Sequence, residues 1–111
     1  MIRKYKIGNF TIEVRSQAPF QDIEPYSSFL YYGEQTDYCV NIDFSADLPR
    51  EIKAPGIDER DYTVVTEDNH PCFYYKSHAN KGYYARRIKK GRSIDITIDE
   101  MYRDSLWTRV I

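Results

Sequence analysis

Residues 5–14 read Tyr-Lys-Ile-Gly-Asn-Phe-Thr-Ile-Glu-Val and carry the clearest fold signal in the chain. Apolar and polar side chains alternate on either side of Gly8 and Asn9, a dipeptide that tolerates the positive φ angles of a two-residue turn. Alternation with a period of two is typical of a strand with one buried side and one solvent-facing side. The stretch therefore predicts a β-hairpin.

The same alternation recurs along the rest of the chain. It predicts further strands over residues 37–44, 62–66, 72–76, 83–88 and 93–98, with turns around residues 67–71 and at Lys90-Gly91. Eleven Tyr and five Phe favour the half-buried surface of a sheet. Because consecutive strands usually pair, we expect a curved, mostly antiparallel sheet built of sequential hairpins.

Two segments have a helical pattern instead. Apolar side chains recur at helical spacing at Ile23, Tyr26, Phe29 and Leu30. Pro25 is tolerated only in the first turn, so a short helix is predicted from about Glu24. Residues 99–111 predict an amphipathic C-terminal helix that ends on two apolar residues without a cap. The predicted class is therefore α+β.

The domain organisation follows from the chain length and from its last residues. A chain of 111 residues forms one core, and the charged stretch 45–61 is predicted as a solvated excursion within a single β-rich domain over 1–111. Natural C-termini usually trail off in polar residues, so the apolar ending predicts the N-terminal part of a longer protein. An apolar stripe on the terminal helix is the predicted interface, with a missing C-terminal domain or with a second copy in a homodimer: Tyr102, Leu106, Trp107 and Val110.

Composition narrows the compartment. The net charge of -1 gives no overall attraction to nucleic acid or anionic lipid. No apolar run approaches the roughly 18 residues of a membrane span, and the N-terminus lacks the apolar stretch of a signal peptide. Cys39 and Cys72 lie in apolar, strand-like runs typical of buried thiols, with a disulfide as the alternative. We expect a cytoplasmic protein without a membrane partner.

One segment of the chain is strongly basic although the net charge of the whole chain is close to zero. Residues 69–94 contain no Asp or Glu, and Lys and Arg alternate there with tyrosines. Such a mixture suits a platform that stacks single-stranded nucleic acid, but it also suits sheet edges protected by Lys and Arg, or a basic face that docks on the acidic half of the chain or on a partner. Alternation along a strand places Arg86 and Arg87 on opposite faces. The candidate binding residues are Tyr74, Lys76, Tyr84, Arg86, Arg87, Lys89 and Lys90.

Motifs for catalysis are missing from the sequence. His70 and His78 are the only histidines, and neither belongs to a cluster with metal-ligand spacing. The five glycines are isolated, so there is no phosphate-binding loop, and no G-x-S-x-G elbow occurs. We therefore predict a protein that is not an enzyme, with no catalytic residue, no metal and no cofactor.

Four stretches of the chain carry a resemblance to a known family: residues 5–14, Ala18-Pro19-Phe20, residues 37–42 and Asp104-Ser105-Leu106-Trp107. Together they resemble the region ahead of the kinase domain in HPr kinase-like proteins, including those found beside peptide-modification genes, over essentially the whole chain. The resemblance implies an N-terminal β-rich accessory domain that recognises a substrate or supports the kinase domain. The family's ATP-binding P-loop is not in this chain, so no catalytic residue carries over.

The predicted function is a non-catalytic accessory or substrate-recognition domain of a larger, HPr kinase-like protein. Its expected partner is a protein, a peptide or the missing C-terminal domain, and no nucleic-acid partner is expected. The alternative is a small nucleic-acid-binding protein that uses the basic aromatic segment 74–92.

Overall fold

The computed structural model describes residues 1–16, 29–78 and 82–102. These residues form a single eight-stranded sheet followed by a short 3-10 helix, Glu100–Tyr102. The strands are β1 (Ile2–Ile7), β2 (Phe10–Ser16), β3 (Tyr38–Ser45), β4 (Ile57–Asp58), β5 (Tyr62–Glu67), β6 (His70–Lys76), β7 (Tyr83–Lys90) and β8 (Ser93–Asp99).

The strand order is β1-β2-β3-β8-β7-β6-β5-β4. Five of the seven pairings between described strands are antiparallel, which confirms the prediction of an antiparallel-rich sheet. The prediction of sequential hairpins is wrong at the centre, where β3 lies parallel to both β2 and β8. Parallel neighbours need a long connection, and residues 17–37 separate β2 from β3 in the sequence.

The predicted α+β class is wrong. The described residues are mostly strand, with irregular connections and short 3-10 turns, and they contain no α-helix. Asp99, predicted to begin the C-terminal helix, instead ends β8 and pairs with Ser45, and Leu30 forms a β-bridge with Tyr5 instead of ending the predicted short helix. The rest of that helix, residues 24–28, and residues 103–111 lie outside the described residues.

The hairpin turns show why the local predictions held. Gly8 has a φ of 62° and joins β1 to β2 in register, with Ile7 opposite Phe10. Asp68 and Asn69, with φ of 51° and 63°, join β5 to β6. These positive φ angles match the mirror-image turns that suit the twist of antiparallel strands. Residues 45–61, predicted to be a solvated connection, contain one short strand, because Ile57–Asp58 forms the edge strand β4.

The two faces of the sheet carry different cores. The core face, as we call it, buries a cluster centred on β3 and β8, whose members are Tyr5, Val14, Val40, Ile42, Ala85, Ile94, Ile96 and Ile98. The opposite face holds a smaller cluster of Cys72, Tyr74 and Ile88, against which Ile52 packs. Also on the opposite face, the Asn41 side-chain amide donates to Asp95 Oδ1 at 3.0 Å and ties β3 to β8.

A β-bulge in β7 changes the alternation between these faces. Tyr75 pairs with Ala85 while Lys76 pairs with Tyr83, so Tyr84 is the extra residue. Tyr84 contacts Tyr75 on the core face, with ring centroids 6.2 Å apart. Tyr83 contacts the ring of Tyr74 on the opposite face at 5.7 Å. The bulge therefore sends consecutive tyrosines to the two sides of the sheet.

Candidate functional site

The predicted basic segment is divided between the two faces of the sheet. Strand register places Tyr74, Lys76, Arg86 and Lys90 on the opposite face. It places Arg87 and Lys89 on the core face, where the bulge also brings Tyr84. The structure therefore does not bring these seven residues together on one surface.

On the opposite face, Arg86 is held by its own chain. Its guanidinium donates to Tyr74 Oη at 3.1 Å and to a carboxylate oxygen of Glu67, and Tyr74 Oη donates to Glu67 at 2.7 Å. Burial would raise the pKa of Glu67, but the hydrogen bonds from Arg86 and Tyr74 outweigh it and lower the pKa. Burial, with the bond to Glu67, raises the pKa of Tyr74 to about 12. The Arg86 cation is thus neutralised within the fold.

Two lysines of the basic segment, Lys76 and Lys90, also lie beside carboxylates on this face. Lys76 Nζ lies 2.5 Å from Asp58 Oδ1, and its hydrogen bond is the main reason that the pKa of Asp58 is lowered. Lys90 Nζ lies 3.3 Å from Asp68 Oδ2. The acids come from β4 and from the β5–β6 turn, which lie before the basic segment in sequence. Folding therefore pairs Lys76, Arg86 and Lys90 with carboxylates from the acidic half of the chain.

On the core face, the segment's cations have aromatic surroundings. Lys89 Nζ lies 5.4 Å from the centre of the Tyr38 ring, a cation–π contact. Arg87 pairs with Phe73 and Ile96, and its Nε is buried without a hydrogen-bond partner. These two residues do not share a surface with Arg86 or Lys90.

A second region, which we call the edge cleft, lies at the other end of the sheet. β1 is the first strand in the order, and the segment after the bridge residue Leu30 runs beside it. The Tyr31 amide donates to the Lys4 carbonyl at 2.9 Å. Between the two lies a cavity of about 480 Å³, lined by Ile2, Arg3, Lys4, Leu30, Tyr31, Tyr32 and Gly33.

The rim of the edge cleft is apolar, aromatic and exposed. Tyr32 is 91% exposed and Ile2 is 56% exposed. Large apolar side chains grouped at an open surface mark interaction sites more often than single exposed ones do.

Two lysines of β1 reach toward the cleft segment. Lys4 Nζ donates to the carbonyl oxygens of Gly33 at 3.3 Å and Glu34 at 3.4 Å. Lys6 Nζ lies 5.6 Å from the centre of the Tyr31 ring. The edge cleft therefore combines apolar contact area with positive charge.

Gly33 leaves room for the Tyr31 ring. A Cβ atom built on Gly33 would lie 2.1 Å from Tyr31 Oη, so the phenol occupies the space of a side chain. Reasoning from sequence missed this cleft because residues 31–36 had no periodic pattern. The available signal was the pair Tyr31-Tyr32 followed by Gly33, two aromatics next to a residue without a side chain.

The structure brings no further predicted residues together into a site among the described residues. Leu106, Trp107 and Val110 lie outside the described residues, and Tyr102 is the last residue of the 3-10 helix. Among the described residues, no group of three or more His, Cys, Asp and Glu side chains is placed to hold a metal ion. Both cysteines are free thiols. The described part of the chain has no helix with the length and apolarity to span a membrane.

Comparison with known proteins gives no relative. The chain matches no protein-family model, no curated protein and no solved structure. The resemblance to HPr kinase-like proteins therefore stays a prediction.

Proposed function

We propose that this chain is a non-catalytic recognition domain that binds an extended segment of a partner protein in the edge cleft. The observation that carries the proposal is the cleft itself, where exposed Ile2 and Tyr32 flank the outer edge of β1. Proteins commonly recognise extended peptides by adding a strand to a sheet edge, with pockets for alternate side chains.

The backbone of β1 suits this mode. In an antiparallel pair, alternate residues direct both their N–H and C=O groups away from the partner strand. The Lys4 carbonyl points outward, since it accepts from Tyr31, and Ile2 lies two residues before it on the same edge. A peptide in the cleft can therefore bond to the edge near Ile2 and place side chains between Ile2 and Tyr32.

Nucleic-acid binding through residues 74–92 has less support. Lys76, Arg86 and Lys90 are engaged by carboxylates of the same chain. Binding to phosphates depends on cations that are available to neutralise them. Two free thiols agree with a reducing compartment such as the cytoplasm. Attachment to a larger HPr kinase-like protein is part of the proposal and rests on the sequence resemblance alone.

Selection from a displayed library of random extended peptides tests the proposal. We expect enrichment on the purified chain, and amide shifts of residues 2–6 and 30–34 when an enriched peptide is titrated. The double variant Ile2→Ser, Tyr32→Ser removes exposed apolar surface and should abolish binding while leaving the fold intact. The matched control is Ile57→Ser at the other sheet edge, where the side chain is 50% exposed. A library without enriched peptides, or binding that survives the double variant, contradicts the proposal.

A further inference from the structure

We propose that the segment bound in the edge cleft is acidic as well as apolar, and this inference rests on the proposed function. Four cations lie in the first two strands, namely Arg3, Lys4, Lys6 and Arg15, against the single carboxylate of Glu13. The net charge of the whole chain is close to zero, so the excess of positive charge is a local property of the β1–β2 hairpin.

The carboxylate of Glu13 is committed within the hairpin. It is buried and accepts from Arg15 Nε at 2.5 Å, with Lys4 Nζ more distant at 3.8 Å. The nearer partners of Lys4 Nζ are carbonyl oxygens of Gly33 and Glu34, which carry no net charge. Lys6 is exposed and lies over a neutral ring. Positive charge therefore remains at the cleft.

The contrast with the basic segment supports this assignment. Lys76, Arg86 and Lys90 each lie within ion-pair distance of a carboxylate of β4, β5 or the turn after β5. Among the described residues, Lys4 has only the more distant Glu13, at 3.8 Å, a carboxylate that is already bonded to Arg15. The close contact of Lys6 is the Tyr31 ring. A carboxylate of a bound peptide therefore gains more electrostatic stabilisation at the β1 edge than at the basic segment 69–94.

The spacing along β1 defines the peptide pattern. Ile2, Lys4 and Lys6 are two residues apart and share one face of the strand. Leu30 and Tyr31 already occupy the outer edge of β1 at Tyr5 and Lys4, so a peptide can pair with β1 only near Ile2. Acidic side chains close to the apolar residue that contacts Ile2 can reach the lysines on this face. The expected motif is thus an apolar residue with carboxylates at nearby alternate positions.

Three synthetic peptides test the inference. They share one apolar skeleton and carry Asp, Ser or Lys at the alternate positions. Titration of the full chain, followed by amide shifts of residues 2–6 and 30–34, should rank Asp above Ser above Lys. We expect the Asp peptide to bind about fivefold more tightly than the Ser peptide, the effect of two exposed ion pairs. The difference should shrink at high salt because exposed charges are screened.

A charge-reversal variant locates the interaction. Lys6→Glu should invert the preference between the Asp and Lys peptides, whereas Lys53→Glu, at an exposed loop position, should leave it unchanged. Equal affinity for the three peptides, or an Asp preference that Lys6→Glu does not alter, overturns the acidic assignment while the proposed function stands. No shift of the cleft residues with any peptide overturns both.

Discussion

Arg86 and Lys6 illustrate, at the scale of single residues, how the fold redistributes charge. Arg86 lies in the segment without acids, yet it is bound by Glu67 and Tyr74. Lys6 lies in the half of the chain that is rich in acids, yet its close contact is the Tyr31 ring. Charge counted along the sequence therefore does not show which cations lie beside carboxylates in the folded protein, because strand pairing joins distant segments.

The Glu67 carboxylate gives a pH-dependent prediction. Its pKa in the folded protein lies below the unfolded value, so its contribution to stability is present above the unfolded pKa and is lost as pH falls through the folded pKa. Glu67→Gln should lower the free energy of unfolding by about 1 kcal/mol at pH 7, and this deficit should diminish toward pH 3. Denaturant titrations at both pH values measure it. Glu51→Gln, at an exposed position, is the control, and a deficit that does not change with pH contradicts the prediction.

The turn residue Asn69 gives a second prediction. Its φ of 63° is costly for most side chains and free of strain for glycine. Asn69→Gly should raise stability by as much as about 1 kcal/mol, and Asn69→Val should lower it by about 1–2 kcal/mol. Asn9 occupies the second position of the β1–β2 turn without a positive φ, so Asn9→Gly should bring no gain. Thermal melts of the three variants test the difference.

Whole elements differ in how far the sequence predicts them. The hairpins β1–β2, β5–β6 and β7–β8 were predictable because alternation and the turns at Gly8, Asn69 and Gly91 are local signals. The parallel pairing of β3 with β2 and β8 was not, since alternation identifies a strand without naming its neighbour. The edge cleft was missed because residues 31–36 have no periodic pattern and because the sequence does not show that Leu30 pairs with Tyr5. Helical spacing did not predict the conformation of Leu30, which forms a β-bridge with Tyr5.

A substitution in the central strand β3 should lower the free energy of unfolding more than one in the edge strand β4. Ile42 is fully buried between Ser16 on β2 and Ile96 on β8. Ile42→Ala should cost about 2–5 kcal/mol because it removes buried methyl groups and leaves a cavity. Ile57→Ala on β4 should change stability by less than about 0.5 kcal/mol. Equal losses in chemical denaturation would show that the edge strand is as tightly packed as the centre.

The whole sheet should open unevenly. β3 and β8 pair on both sides, whereas β4 has two residues and pairs only with β5 among the described strands. Local opening requires less energy where fewer buried contacts are lost. Amide hydrogen exchange should therefore be slowest in β3 and β8 and fastest in β4. Protection of Ile57 and Asp58 that matches that of Ile96 would contradict this order.

The insertion of β8 beside β3 also affects how the protein is made. Asn41 and Asp95 meet although they lie 54 positions apart. A ribosome needs on the order of several seconds to add that many residues, and during this time the nascent β3 presents an open edge. Exposed strand edges can pair with other chains and aggregate. A chaperone that covers the nascent chain would therefore have its largest effect during this interval. Stalled synthesis between β7 and β8 should therefore yield aggregation-prone fragments, although every earlier hairpin is complete.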